Sequence, residues 1–305
     1  MFEFYIQYEY WFAACQLTLA MAGMGATLKP TDFIAVVQQP RAMLLGLSIQ
    51  LVGAPLIAWA LIRSLDFTPG VAMGIALCAA IPGGTMSNVF VFLARGHVAL
   101  SIALTAITST ACLITTPLVL GLLIGQHMPP SFDMPTARIA VEISMMLLLP
   151  LVLGMGVLQL WPNIAGRFSH ISIRLSIGII VLMALGATGA GRIDMPSFGL
   201  LNTSIIALFI GGITLISWLL PRLLRTAKKD ITAINIEVTV RNINLALLLK
   251  ASLFPAVVGM SDPLGDTVLV TIFVYGALAL PVGIGQIYFY GRYNKRQTAG
   301  EVVSL

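Results

Sequence analysis

The stretch "IPGGTMSNVF", residues 81–90, interrupts an otherwise apolar run that covers residues 71–93. It brings a proline, two glycines, Thr85, Ser87 and Asn88 together where a helix would be expected to continue. In water such a stretch would serve as a turn. In a bilayer, each backbone group that Pro82, Gly83 and Gly84 release from a helix needs a partner, because no water is there to provide one. The solvent around this stretch, and the partner of its backbone, decide the fold.

Composition identifies the solvent. The chain has 305 residues, of which 58% are hydrophobic and 10% charged, and its mean hydropathy is +0.96. Soluble domains carry about 25% charged residues. Apolar runs of about 20 residues, long enough to cross a ~30 Å hydrocarbon layer, recur along the whole length. The expectation is an all-α membrane protein. Its start, "MFEFYIQYEYWF", has two glutamates and no basic residue, so it lacks the basic region of a signal peptide. Cys15, Cys78 and Cys112 all fall within apolar runs and are expected to pack rather than bind metal or form disulfides. The net charge of +5 is what basic cytoplasmic loops give any such protein.

Nine spans are expected, at residues 5–28, 41–63, 68–94, 98–126, 136–160, 167–190, 196–224, 230–253 and 264–290. They form one polytopic domain with no separate soluble part. Gln39-Pro40, Met128-Pro129-Pro130 and Trp161-Pro162 punctuate three boundaries, as prolines outside helices do. With the N-terminus outside, the cytoplasmic side holds Lys29, Arg41, Arg95, Arg167, Arg222, Arg225, Lys228, Lys229, Arg292, Lys295 and Arg296. The outer loops hold Arg63, Arg138 and Arg192, so the bias is eleven to three. That favours a cell (inner) membrane protein with a cytoplasmic C-terminal tail, residues 292–305. Arg174 and Lys250 lie near span ends and are expected to snorkel. Arg241 lies deeper.

The third and eighth spans have the most polar interiors, the opening stretch and "NIEVTVRNINL" at residues 235–245. They are five spans apart, an odd number, so they cross in opposite directions, and one further helix follows each. This is the mark of an inverted repeat (4+5), with residues 1–126 as the shorter half and 136–291 as the complete one. Transporters of this kind bind substrate and ions where discontinuous helices meet. Glu237 is a carboxylate deep in a span and needs a partner or a function. Ser87, Asn88, Ser101 and Thr105 offer neutral oxygens, the last two on one helix face. Oxygens with one carboxylate suit a hard monovalent cation, by extension of the rules for hard metals. Zinc or copper would want His or Cys, and none is near. His97, His127 and His170 fall at loops or span ends, and Glu142, Asn202 and Thr203 are expected at the outer interface.

"GGTMSNVFVFLARGHVALS" (83–101) and "IEVTVRNINLALLL" (236–249) resemble the two signature segments of the bile acid:sodium symporter family. The resemblance extends over essentially the whole chain, and to the nine-helix version in which the first helix of ten is missing. It implies two helices crossing at broken centres, in a core domain that moves against a panel domain. By matching position it implies a first sodium site of Ser87, Asn88, Ser101, Thr105 and Glu237. It implies a second of Gln50, Glu237 and backbone carbonyls near Val238 and Val240, with Thr85 and Asn242 lining the substrate cavity. Where the family's second site uses glutamine, this chain has Arg241. Three roles stand open for it: a fixed cation replacing the second sodium, a bidentate partner for the substrate's carboxylate, or a snorkelling side chain.

The implied function is sodium-coupled symport of an organic anion, a bile acid or a smaller carboxylate such as a keto acid or pantoate-like metabolite. Proton coupling through Glu237, or uncoupled transport with Arg241 replacing an ion, is the alternative. A channel would need a continuous pore ringed by carbonyls or charges, and broken inverted helices argue for alternating access. An enzyme would need a nucleophile–base pair or metal site in the span interiors, which hold neither. Nothing points to nucleic acid or an obligate protein partner.

Overall fold

The structure, a computed structural model, describes residues 2–29, 31, 40–65, 68–125 and 134–303. Gln39, Gln126, His127 and Met128-Pro129-Pro130 lie outside these residues. The described chain is helical, without named strands. Helix α1 is Phe2–Gly25. α2 (Pro40–Ser48) runs through one π turn, Ile49–Gly53, into α3 (Ala54–Ser64). Next come α4 (Pro69–Ala80), α5 (Thr85–Leu93) and α6 (Val98–Ile124). A second π turn, Ser144–Leu148, joins α7 (Thr136–Ile143) to α8 (Leu149–Leu160). α9 (Pro162–Gly189), α10 (Met195–Leu223), α11 (Lys228–Thr239), α12 (Ile243–Leu253) and α13 (Pro263–Val303) complete the series.

Among the described residues, six continuous units are long and apolar enough to cross a membrane: Pro40–Ser64, α6, Thr136–Leu160, α9, α10 and Pro263–Lys295. Leu122, Leu200 and Phe92 are exposed on the outside of the bundle, the distribution expected where hydrocarbon rather than water is the solvent. Prolines begin several helices at Pro69, Pro162 and Pro263, where a missing N–H costs no helical bond and φ is already set. At the start of α10 the Asp194 side chain accepts from Ser197 N at 3.1 Å. The hydrogen bond from the Ser197 hydroxyl, with that from its backbone N–H, holds the Asp194 carboxyl below its usual range.

The backbone of the opening stretch finds its partner in the other polar break. α4 ends at Ala80 and α5 begins at Thr85, while α11 ends at Thr239 and α12 begins at Ile243. The two gaps lie against each other as an antiparallel bridge between Gly83 and Arg241. Gly84 N donates to Val240 O at 3.2 Å, and Asn242 N donates to Pro82 O at 2.9 Å. Each break thus satisfies the other's backbone without water. A Cβ at Gly84 would come within 3.3 Å of the Arg241 carbonyl carbon and the Asn242 Cα, so the close crossing depends on glycine there.

Several expectations need correction. Lys250 does not snorkel: it is fully buried, with Nζ 3.0 Å from both carboxylate oxygens of Glu9. Burial of an ammonium so near an opposite charge favours pairing over reaching for the interface. Glu142 does not reach out either. It is buried, accepting from Ser252 Oγ at 2.7 Å and from Arg138 Nε at 3.1 Å. Cys78 and Cys112 pack in the interior as expected, whereas Cys15 is exposed on the surface of α1.

Candidate functional site

Three elements converge beside the crossing. The first turn of α5 carries Ser87 and Asn88, α6 carries Ser101 and Thr105 one turn apart, and the last turn of α11 carries Glu237. Ser87 Oγ lies 2.6 Å from Glu237 Oε2 and 2.5 Å from Gly84 O. Ser101 Oγ lies 2.9 Å from Glu237 Oε2 and 2.7 Å from Asn88 Oδ1. Thr105 Oγ1 donates to Glu237 Oε1 and is 3.3 Å from Asn88 Oδ1. Glu237, Ser87, Ser101 and Thr105 are fully buried. Each hydroxyl has one proton to give, so three donors face a carboxylate, an amide oxygen and a backbone carbonyl. The cluster is richer in acceptors than in donors. A Cβ at Gly83 would overlap Glu237 Oε1, so the missing side chain is what lets the carboxylate lie against the broken backbone.

Arg241 sits in a different environment. It is 4% exposed and does not pair with Glu237. Its Nη1 donates to the carbonyls of Ile81 at 2.8 Å, Ala79 at 2.9 Å and Cys78 at 3.3 Å. Nε donates to Val238 O at 3.1 Å and Nη2 to Gln50 O at 3.5 Å. The Cys78, Ala79 and Ile81 carbonyls are those left unpaired at the C-terminal end of α4, where the helix dipole places partial negative charge. The guanidinium therefore caps that half-helix. Its burial rules out snorkelling.

The residues matched to a second cation site fall on the same ground. The carbonyls of Val238 and Gln50 accept from Arg241, and that of Val240 accepts from Gly84 N. Gln50 lies in the π turn between α2 and α3, an irregularity frequent at functional sites. It is buried, and neither polar atom of its amide has a hydrogen-bond partner among the described residues. Thr85 and Asn242 point the other way, toward α1. Thr85 Oγ1 is 3.4 Å from Met24 Sδ, and Asn242 Nδ2 is 3.4 Å from Met21 Sδ. Both line a cavity of about 360 Å³ beside the crossing, with Ala20 of α1, Ile177 of α9 and Tyr275 of α13 among its walls.

One group of charges is not visible in any sequence motif. Glu9 of α1 pairs with Lys250 of α12 and lies 3.0 Å from Arg192 Nη1, in the turn after α9. Arg192 Nε also pairs with Asp266 at the start of α13, and the Tyr5 hydroxyl donates to Glu9 Oε1 at 3.5 Å. This network ties α1 to α12 and α13 at the end of the bundle opposite the basic loops. A signal was present. Glu9 lies about two turns into an apolar helix that has no cation of its own, so its partner had to come from another span.

Known proteins resemble this chain over most of its length. A model described as the sodium bile acid symporter family matches residues 14–192. The uncharacterized sodium-dependent transporter YocS of Bacillus subtilis (strain 168) is 31% identical over 78% of this chain and 73% of its own. The probable chloroplastic sodium/metabolite cotransporter BASS1 of Arabidopsis thaliana is 29% identical over 78% of this chain and 58% of its own. The sodium-dependent organic anion transporter of Bos taurus is 27% identical over 93% of this chain and 74% of its own.

Proposed function

Because this chain belongs to the sodium bile acid symporter family, we propose that it is a symporter coupling the influx of one sodium ion to that of one organic anion. The relatives are transporters and not enzymes, and the helical, membrane-embedded build fits a transporter. The specific assignment rests on one observation, the acceptor-rich oxygen cluster that Ser87, Asn88, Ser101 and Thr105 form around Glu237 at the helix crossing. A dehydrated monovalent cation supplies the positive charge that such a cluster lacks, and oxygen ligands without His or Cys select a hard ion.

In this reading the bundle has nine spans in a 4+5 inverted repeat, with the N-terminus outside and the C-terminus cytoplasmic. α4–α5 and α11–α12 are the third and eighth. α1 with α7, α8 and α9 forms a panel, supported by the close packing of α1 on α8 and α9. The remaining helices form the core. Arg241 is the permanent occupant of the second cation place. Its guanidinium donates to the Val238 carbonyl that a second sodium would use and reaches the backbone of Gln50, another residue of that place, and its charge offsets that of Glu237. All three guanidinium nitrogens engage backbone carbonyls, so the bidentate fork a carboxylate would need is largely committed to the crossing, although Arg241 also borders the cavity. The loaded centre is then neutral, with Glu237 against Arg241 and sodium against one anionic carboxylate in the cavity bounded by Thr85 and Asn242.

The test is thermal unfolding of the purified protein in sodium and in potassium, with bile acids, keto acids or pantoate added in turn. A ligand that binds the native state raises the melting temperature. Sodium is expected to stabilise more than potassium, and Glu237→Ala to abolish the difference. Equal effects of the two cations would remove the sodium site. Stabilisation that follows pH instead would favour proton coupling through Glu237.

A further inference from the structure

Away from the crossing, an apolar groove of about 670 Å³ runs between α10 and α13. Leu215 and Phe289, both more than half exposed, stand at its mouth, which therefore opens on the outer surface of the bundle. Gly211 and Gly285 line it, and a Cβ at either would meet nothing within 4 Å. The groove is open space at these glycines rather than a packing seam. Trp218, Phe289 and Tyr290 belong both to this groove and to a second recess of about 260 Å³ at the basic end of α10. The two spaces adjoin along these three side chains.

The second recess differs in chemistry. It is lined by Arg222 and Lys228, with Tyr293 beside them. Neither cation has a carboxylate partner within ion-pair distance among the described residues. Each rests instead on an aromatic face, Arg222 over Trp218 at 5.0 Å and Lys228 over Tyr293 at 4.7 Å. Asp230, two residues beyond Lys228, is engaged by His97 Nδ1 at 2.6 Å. Stacking on a ring leaves a cation's charge uncompensated, so the recess is electropositive. Aromatic side chains at this level mark the membrane–water boundary.

We propose that the groove and the basic recess form one binding site for an anionic phospholipid of the leaflet on the basic-loop side. One acyl chain lies in the groove between α10 and α13, and the phosphate sits between Arg222 and Lys228. Basic pockets between transmembrane helices on that side attract anionic head groups, and the apolar groove supplies the second half of the recognition. A free phosphate would use the recess alone. A zwitterionic lipid would fill the groove but gain little from the cations.

Native mass spectrometry of the full-length protein in detergent tests this, with phosphatidylglycerol, phosphatidylcholine of the same chains, and glycerol 3-phosphate as probes. The unaltered protein should retain phosphatidylglycerol in preference to phosphatidylcholine and bind glycerol 3-phosphate weakly. Arg222→Gln with Lys228→Gln should reduce the preference by about fivefold for each charge removed. Gly285→Leu, which fills open space, should weaken both lipids alike. A protein without preference for phosphatidylglycerol, or a double variant that keeps it, would overturn the proposal. So would glycerol 3-phosphate binding as tightly as the lipid, which would make the recess a free-anion site. None of these residues touches the Glu237 cluster, so sodium-dependent stabilisation stands or falls separately.

Discussion

The Arg241 Nη1 donates to the carbonyl oxygen of Ile81 at 2.8 Å, joining the break of one discontinuous helix to the open end of the other. A positive charge is held there by covalent attachment, where other arrangements of the same backbone could hold a diffusible ion. The consequences for coupling can be measured.

Replacing the guanidinium by a neutral amide should reopen the second place. Arg241→Gln is expected to add a second, weaker sodium dependence, seen as a steeper rise of melting temperature or uptake with sodium concentration. Arg241→Ala should impair the protein, since the α4 carbonyls lose their donor and Glu237 loses compensating charge. Unchanged steepness in Arg241→Gln would show that the side chain does not stand in for an ion.

The surviving cluster makes graded predictions. Ser101→Ala and Thr105→Val each remove one oxygen beside the carboxylate, and each should raise the sodium concentration needed for half-maximal stabilisation by about tenfold. Glu237→Ala should abolish the response. Gly83→Ala should do the same although it removes no ligand, because its methyl group would overlap Glu237 Oε1. A Gly83→Ala protein with a normal sodium titration would mean that the carboxylate does not lie where the cluster places it.

The buried pair of Glu9 and Lys250 joins α1 to α12 and should matter for stability more than for ion affinity. Glu9→Gln leaves the Lys250 ammonium without its closest counter-charge and should cost about 3–5 kcal/mol in unfolding free energy. Adding Lys250→Met should recover much of that loss, since the unpaired ammonium is removed while Arg192 keeps Asp266 as its partner. Sodium titrations of the folded variants should stay normal. Denaturant unfolding of the single and double variants gives the comparison, and a double variant no more stable than Glu9→Gln would argue against a specific pair.

The sequence carried the breaks, the residue types of the oxygen cluster and the family, because each lies in short contiguous motifs. Pro82-Gly83-Gly84 disrupts a helix wherever it occurs in an apolar run, and the Glu237 carboxylate, deep in an apolar span, demands donors or a cation around it. The destination of long side chains was not legible. Lys250 and Glu142 lie within reach of a helix end, where snorkelling is the local expectation, and only the approach of α1 and of Ser252 turns them inward. Arg241 shows the same limit. Its depth could be read, but its partners are carbonyls of α4 some 160 residues away, which no local pattern reveals.

In the proposed mechanism, one mobile sodium and one fixed guanidinium share the work of neutralising the site. The most direct test is the ratio of radiolabelled sodium to labelled anion taken up by proteoliposomes, using whichever monovalent carboxylate stabilises the protein best, with the membrane potential set by potassium and valinomycin. One sodium per anion is expected, with initial rates that do not change when the potential is made inside-negative. Two sodium ions per anion, with uptake accelerated by an inside-negative potential while Arg241 is in place, would contradict it.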